Sequence, residues 1–200
     1  MNSVGRMARV FWVALRALAV LTVIVIVYSF VVTGLGQAIF PHQANGSLIE
    51  DGAGRVVGSA LIGQSFTGAD GQPLPQYFQP RPSAGGYDPR HSGGTGLGPD
   101  NPDLAAAIAQ RRADIAAFNG VAPEDVPPDA VTASGSGLDP DISLAYATIQ
   151  IHRVAVARGR SDDWVAGFVT ACTRGRSLGV LGEPRVNVVL LNFDLDQGIH

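Results

Sequence analysis

The stretch ALAVLTVIVIVYSFVVTGLGQAIF, residues 17–40, contains 24 residues and no charged side chain. An α-helix rises about 1.5 Å per residue, so roughly 20 apolar residues cross a hydrocarbon core about 30 Å thick. The β-branched residues at its centre are mediocre helix formers in water. In lipid, however, the backbone has no hydrogen-bond partner outside its own helix. The stretch therefore predicts one transmembrane helix over residues 17–40.

The distribution of arginines predicts the orientation of this helix. Basic residues accumulate on the cytoplasmic side of membrane helices, and no arginine lies between the stretch and Arg55. We predict a cytoplasmic basic N-terminus over residues 1–16, a single pass through the plasma (inner) membrane, and an extracytoplasmic domain over residues 41–200. The arginines on the N-terminal side are Arg6, Arg9 and Arg16.

A cleaved signal peptide is the alternative interpretation of the N-terminus. It too has a basic start and an apolar stretch, and Gly36-Gln37-Ala38 offers small residues for cleavage. The apolar part of a signal peptide, however, spans only roughly 7–15 residues. The greater length of this stretch favours a retained anchor.

Composition limits what the remaining residues can do. Residues 41–200 carry eleven arginines and seventeen acidic residues, a net charge of −6, which argues against a nucleic-acid or anionic-lipid surface. The chain contains no lysine, which excludes a P-loop lysine and a Schiff base. Cys172 is the only cysteine, so no intramolecular disulfide forms, and its apolar neighbours indicate a buried residue rather than a catalytic thiol.

Caps and periodicity predict an α/β domain with about three helices on a small sheet. The predicted strands are one strand or a strand pair over Arg55–Phe66, a short strand at Val131–Ala133, and a covered strand at Arg185–Phe193 that is apolar on both faces. The predicted helices begin at Asn101-Pro102, Asp139-Pro140 and Ser161, the first two ending at Gly120 and Gly159. Residues 43–55 are expected to be a linker.

A long irregular stretch, Thr67–Asp100, is rich in glycine and proline. Such a stretch inside a compact domain is either disordered or functional. Its part Tyr77–Ser83 is too aromatic for a simple spacer. The Gly-rich part Ser92–Gly98 lacks the glycine spacing of a dinucleotide loop, so it indicates only a loop with unusual backbone angles.

The segment SGSGLDPD, residues 134–141, allows two interpretations. It is predicted to join a strand to a helix N-terminus, where free backbone N–H groups attract an anion or a phosphate. The alternative is a plain cap, with Gly at positive φ and Asp139 bonded to the first helical turn. Caps are the commoner of the two.

A membrane-anchored extracytoplasmic serine hydrolase is the alternative function. Ser136 with Asp139 and His152 has the composition of a triad, but no stretch forms a Gly-x-Ser-x-Gly elbow, and Ser65 comes closest without the second Gly. No histidine pair has the helical spacing of metal ligands, so we predict neither a metal site nor catalytic residues.

The side chains of Gln150, Arg153 and Arg158 project from the second predicted helix. Gln150 and Arg153 are three residues apart and therefore neighbours on its surface. The side chains form either a solvated face or a salt bridge to a nearby acid, or they belong to an interaction surface, and the spacing leaves these interpretations open.

Several segments together resemble the C subunit of the Kdp potassium-transporting ATPase, in family order over essentially the whole chain. One loop departs from the family pattern, because Thr95-Gly96 replaces the usual Ser-Asn. The matching segments are Gly58–Phe66, Tyr77–Ser83, Ser92–Pro99, Val131–Ser143, Gln150–Ala155 and Gly182–Val188.

The resemblance implies a non-catalytic accessory subunit of a high-affinity, ATP-driven potassium import complex. Its partners would be a channel-like potassium-binding subunit and a P-type ATPase subunit, with potassium involved only indirectly. The family is described as a catalytic chaperone that raises the ATP affinity of the ATPase subunit. No covalently bound cofactor is implied, and ATP would be met through the complex. The implied nucleotide-binding residues are Ser134, Gly135, Ser136, Gly137 and Gln150.

The predicted topology suggests two further roles. P-type ATPases bind ATP on the inner side, so a domain outside cannot touch that nucleotide. The acidic domain could instead cap the potassium entrance of the channel-like subunit. The membrane helix could also stabilise the assembly, although Gly34 and Gly36 do not form a GxxxG pair.

Overall fold

The computed structural model describes residues 3–198, and the chain divides into two compact units after Ser47. The first unit contains α1 (Ser3–Ile39) and the one-turn helix α2 (Pro41–Ala44). The span Gly5–Ile39 is long and apolar enough to cross a membrane. The helix begins well before residue 17 because the arginine-containing turns in front of the apolar stretch also favour helix.

The second unit, from Leu48 onward, contains both helices and small sheets, which confirms the predicted α/β class. Its strands are β1 (Leu48–Glu50), β2 (Val56–Ser59), β3 (Asp141–Ser143), β4 (Thr173–Arg174) and β5 (Arg185–Asn187). Its helices are α3 (Pro102–Asn119), a 3₁₀ turn (Pro123–Asp125), α4 (Pro128–Val131), α5 (Leu144–Arg158), α6 (Asp162–Cys172) and α7 (Val188–Gln197).

Both sheets are antiparallel. Strands β1 and β2 form a hairpin, in which Ile49 lies opposite Gly58. The other sheet has the order β3-β5-β4, so β5 is its central strand and Val186 pairs with Ile142 on one side and Thr173 on the other. The predicted linker over residues 43–55 is therefore wrong in part, because β1 lies there and supplies the partner of β2.

The capping rules located two helices correctly. Asn101 accepts a hydrogen bond from the Asp103 N–H at 2.8 Å at the start of α3, and Gly120 ends this helix with φ +67°. Ser161 accepts from the Trp164 N–H at 3.2 Å at the start of α6. These caps depend on local chemistry, so the sequence is sufficient to predict them.

The predicted helix start at Asp139-Pro140 is wrong. The Asp139 carboxylate accepts from the Asp141 N–H at 3.0 Å and closes a local turn, after which residues 141–143 pair with β5. Helix α5 begins only at Leu144, capped by Ser143. Pairing with a strand more than 40 residues away displaces the helix start, although the end at Gly159 is as predicted.

Two predicted strands are also wrong. Only Arg185–Asn187 of the predicted strand Arg185–Phe193 is extended, and α7 follows, capped by the Asn187 side chain at 3.0 Å from the Leu190 nitrogen. The run is apolar on both faces because α7 is buried, and a short apolar run does not distinguish a buried helix from a strand. Residues 128–131 form α4 rather than leading into a strand at residues 131–133.

The core of the second unit lies where α6 packs against α5 and α7 and all three helices contact β5. Phe168 of α6 contacts Trp164 with ring centroids 4.6 Å apart. The side chains in the core are mainly aliphatic, and they come from helices α3 to α7, from strands β3 and β5 and from the irregular stretch. Its fully buried members include Phe78, Val131, Val154, Val165, Phe168, Val186, Val188 and Leu191.

Leu191 provides a direct test of this core. Its side chain is 0% exposed, so Leu191→Ala should lower the free energy of unfolding by about 3 kcal/mol through lost transfer free energy and a cavity. Leu61 is 59% exposed, and Leu61→Ala should change it by less than about 0.5 kcal/mol. Urea unfolding of the detergent-solubilised chain, followed by tryptophan fluorescence, measures both, and equal effects would contradict the assignment.

Candidate functional site

Residues 75–83, here the clamped segment, cross the domain without forming a strand and are held by side chains. Phe78 is fully buried. Its N–H donates to the Asn192 side-chain oxygen at 2.8 Å, and its carbonyl accepts from the Asn192 amide nitrogen at 3.0 Å. One asparagine of α7 thus provides both hydrogen bonds that a neighbouring strand would have made.

Gln150 of α5 does the same for the next residue. The Gln79 N–H donates to Gln150 Oε1 at 2.7 Å, and Gln150 Nε2 donates to the Gln79 carbonyl at 3.1 Å. Gln150 is fully buried. Its amide is therefore engaged with the clamped segment on both sides.

Arg153 joins the clamped segment to α3 and α5. Its guanidinium donates to Gln150 Oε1 at 2.7 Å, to the Tyr77 carbonyl at 3.0 Å and to Asn119 Oδ1 at 2.9 Å. It also lies 4.3 Å from the centre of the Phe118 ring. Burial lowers the pKa of Arg153 to about 10, so the guanidinium remains charged at neutral pH. Carbonyl oxygens and the face of the Phe118 ring stabilise this buried charge in place of water.

Arg158 anchors the beginning of the clamped segment to α7. It donates to the Gln76 carbonyl at 2.8 Å and forms an ion pair with Asp196 at 2.7 Å. The Tyr77 hydroxyl donates to the same carboxylate at 2.9 Å, and burial raises the pKa of Tyr77. The predicted salt bridge to a nearby acid is thus confirmed for Arg158, whereas Gln150 and Arg153 are buried and donate to the chain's own backbone rather than to solvent.

The loop of residues 134–137 packs on the far end of the clamped segment. The Ser134 N–H donates to the Pro82 carbonyl at 3.0 Å, and the Ser83 hydroxyl donates to the Gly137 carbonyl at 2.7 Å. The Gly93 N–H donates to the Ser136 carbonyl at 2.8 Å. Gly137 has φ +68°, and a Cβ there would lie 2.7 Å from the Gly93 carbonyl oxygen, so this position requires glycine.

The structure thus places the predicted nucleotide residues at two ends of one segment. Ser134 and Gly137 are buried, and Gly135 and Ser136 are exposed on the loop. Gln150 contacts the clamped segment at Gln79, whereas the loop contacts Pro82 and Ser83. The loop continues into β3 and not into a helix N-terminus, so the local argument for anion docking at a helix end is wrong. Nucleotide binding by these residues stays a prediction.

An open cavity of about 360 Å³ beside β3 and β5 is lined by charged groups that sequence analysis missed. Arg81 pairs with Asp139 at 3.0 Å, and Arg185 pairs with Asp141 at 2.8 Å. Burial raises the pKa of Asp141, against the opposing charge of Arg185. No sequence spacing indicated this cluster, because these four residues come from three separate segments of the chain.

The serines of the alternative hydrolase have other partners. The Ser65 and Thr67 hydroxyls lie 3.0 Å apart, and the Ser136 hydroxyl accepts from the Leu138 N–H at 3.1 Å. His152 pairs with Asp162 at 3.0 Å. Within residues 3–198 neither serine is hydrogen-bonded to a histidine, so the geometry does not assemble a triad.

Metal ligation and thiol chemistry find no support in the described part of the chain. No group of three His, Cys, Asp or Glu side chains there could hold a metal ion. Cys172 lies 3.3 Å from Asp194, and burial raises the pKa of its thiol to about 12. The thiolate is therefore scarce at neutral pH, as expected for a structural cysteine.

Comparison with known proteins assigns the family. A family model described as "K+-transporting ATPase, c chain" matches residues 11–197, which include most of the apolar helix α1, the clamped segment and the 134–137 loop. The chain belongs to this family. It is therefore a subunit of a potassium-transporting ATPase, and the resemblance found in its sequence motifs is confirmed.

Individual relatives agree over most of their own length. The potassium-transporting ATPase KdpC subunit of Burkholderia vietnamiensis is 53% identical, covering 91% of this chain and 94% of the relative. That of Kineococcus radiotolerans is 51% identical over 85% of this chain and 84% of the relative. That of Xanthomonas oryzae pv. oryzae is 51% identical over 85% of this chain and 78% of the relative.

Gln150 provides the test of the clamp. Gln150→Ala leaves the Gln79 backbone groups and one Arg153 donor without partners inside the domain, so it should lower the free energy of unfolding by about 2–4 kcal/mol. Gln110 is exposed on α3 and bonds only to Asp114 at 2.8 Å, and Gln110→Ala should cost less than about 0.5 kcal/mol. Urea titration measures the free energy of unfolding of both variants. A Gln150→Ala variant as stable as the unsubstituted chain would refute the clamp.

Proposed function

We propose that this chain is a non-catalytic accessory subunit that stabilises the potassium-transporting assembly from the outer face of the membrane. Its N-terminus is cytoplasmic, its single membrane helix anchors it, and residues 41–200 form an extracytoplasmic domain. The partners are a channel-like potassium-binding subunit and a P-type ATPase subunit. Family membership and the long apolar helix support this proposal.

The observation that carries the proposal is the internal use of Gln150. Its buried amide makes two hydrogen bonds to Gln79 and one to Arg153. A nucleotide that took any of these positions would leave buried donors or acceptors unpaired, which costs about 1–3 kcal/mol for each group. The geometry therefore favours a scaffold role for this residue over a direct contact with ATP.

The catalytic-chaperone role then becomes an indirect one. We infer that any rise in the ATP affinity of the P-type ATPase subunit is transmitted through protein contacts within the complex. Such coupling needs only that the complex prefer a different conformation with this subunit bound. It also removes the difficulty that an outer domain cannot reach a nucleotide bound inside.

Ser136 distinguishes indirect from direct action on ATP. Its side chain is exposed on the 134–137 loop, so Ser136→Ala should preserve the fold and change the KM for ATP of the purified complex by less than about twofold. Removal of the whole subunit should raise this KM. Potassium-stimulated ATP hydrolysis measures both, and a KM for Ser136→Ala as high as that of the complex lacking the subunit would instead indicate direct contact.

The orientation is tested by cysteine labelling in intact cells. Ala113 is exposed on α3, so Ala113→Cys in a Cys172→Ala background should react with a membrane-impermeant maleimide without permeabilisation. Gly5→Cys, in the predicted cytoplasmic N-terminus, should react only after permeabilisation, because positively charged flanks remain inside. The reverse pattern would overturn the topology and restore direct contact with cytoplasmic ATP.

A further inference from the structure

The connection between β4 and β5 presents an unusually exposed set of aliphatic side chains. Leu178, Val180 and Leu181, here the apolar tip, are 90%, 74% and 59% exposed. Among the large apolar side chains of the described residues Leu178 is the most exposed, ahead of Phe30 on the membrane helix at 76%. Isolated exposed apolar residues are ordinary, but a cluster at the end of one loop marks an interaction site.

Backbone hydrogen bonds hold this tip in one conformation. The Ser177 N–H donates to the Leu181 carbonyl at 2.8 Å, and the Leu181 N–H donates back to the Ser177 carbonyl at 2.9 Å. Leu178 has φ +54°, a region that residues other than glycine, asparagine and aspartate rarely adopt. A structured loop that keeps a leucine in this conformation and exposes its side chain is organised in advance for a partner.

The charges around the tip indicate the chemistry of that partner. Residues 177–182 carry no charge, and the two charged residues at the base, Arg176 and Glu183, pair with each other at 2.8 Å. An anionic bilayer surface attracts free basic residues, but Arg176 at the base of the tip is already paired, and residues 41–200 carry a net charge of −6. An uncharged apolar pocket on a protein fits the tip better than a lipid surface.

The family assignment makes a different subunit of the assembly the expected occupant rather than a second copy of this chain. Stable protein–protein interfaces use about 20–30 residues on each side, and the tip supplies three. Three side chains are instead the size of an anchor that enters a pocket already formed within a larger contact.

We propose that the apolar tip docks into an apolar pocket on a neighbouring protein subunit of the same potassium-transporting assembly. This inference deepens the proposed accessory role, on which it rests, by naming residues that attach the domain to its partner. Leu178 enters deepest because it is the most exposed, and Val180 and Leu181 line the wall of the contact.

Photocrosslinking in the purified complex identifies what the tip touches. Leu178 is replaced by a diazirine analogue of leucine, and the same analogue at Val156, 66% exposed on α5, serves as the comparison position. The expected result is a crosslink from position 178 to another subunit, at a yield several times that from position 156. Crosslinks from position 178 only to lipid or to a second copy, or a yield no higher than at position 156, would overturn the proposal.

Substitution of the tip measures its contribution to assembly. The variant Leu178→Ser, Val180→Ser, Leu181→Ser should reduce recovery of the other subunits in mild detergent by at least about tenfold. The matched variant Leu61→Ser, Val156→Ser changes exposed apolar residues elsewhere and should stay within about twofold of the unsubstituted chain. An unchanged urea midpoint for the tip variant confirms that it remains folded.

The outcomes separate the two proposals. If the unsubstituted chain does not co-purify with other subunits, the proposed accessory role fails. If it does and the tip variant co-purifies equally well, only the docking role of the tip fails.

Discussion

Hydrogen bonds from helix side chains to the backbone of residues 75–83 hold together the domain that begins at Leu48. Residues 60–101 contain no helix or strand, yet Phe78 lies fully within the core. A buried backbone without a strand neighbour needs other partners for its N–H and C=O groups. Asn192 and Gln150 provide them, because a side-chain amide offers one donor and one acceptor at the spacing of a peptide group.

The buried charge of Arg153 extends this network to the rest of the domain. Its planar guanidinium contacts α3 through Asn119, α5 through Gln150 and the clamped segment through Tyr77. Shortening the arginine would remove one donor from each of these acceptors, and the arginine itself would be a costly buried cation without them. The network therefore ties three parts of the chain into one arrangement, and lysine could not replace the arginine because it lacks the planar fork.

This rigidity agrees with membership in a transport assembly. The side chains of Gln150, Arg153 and Arg158 on α5 are used within the domain, whereas three exposed apolar residues cluster on the β4–β5 connection. A stable domain with a preformed apolar tip loses little conformational entropy on binding. The structure thus favours a subunit that acts by attachment, and its influence on ATP use would be transmitted through the neighbouring subunits.

The sequence alone determined the apolar helix, the family and the capped helices α3 and α6, because hydrophobic length, motif order and caps are local properties. It did not determine the state of residues 139–143 or 188–193, since an apolar run is consistent with a buried helix or strand until its neighbours are known. Only the tertiary structure decided that Gln150 and Asn192 serve the backbone at Gln79 and Phe78, because those partners lie 71 and 114 residues away along the chain. A polar side chain on a helix looks the same in sequence whether it faces water or a buried peptide group, and the free energy of burying that peptide group makes the choice.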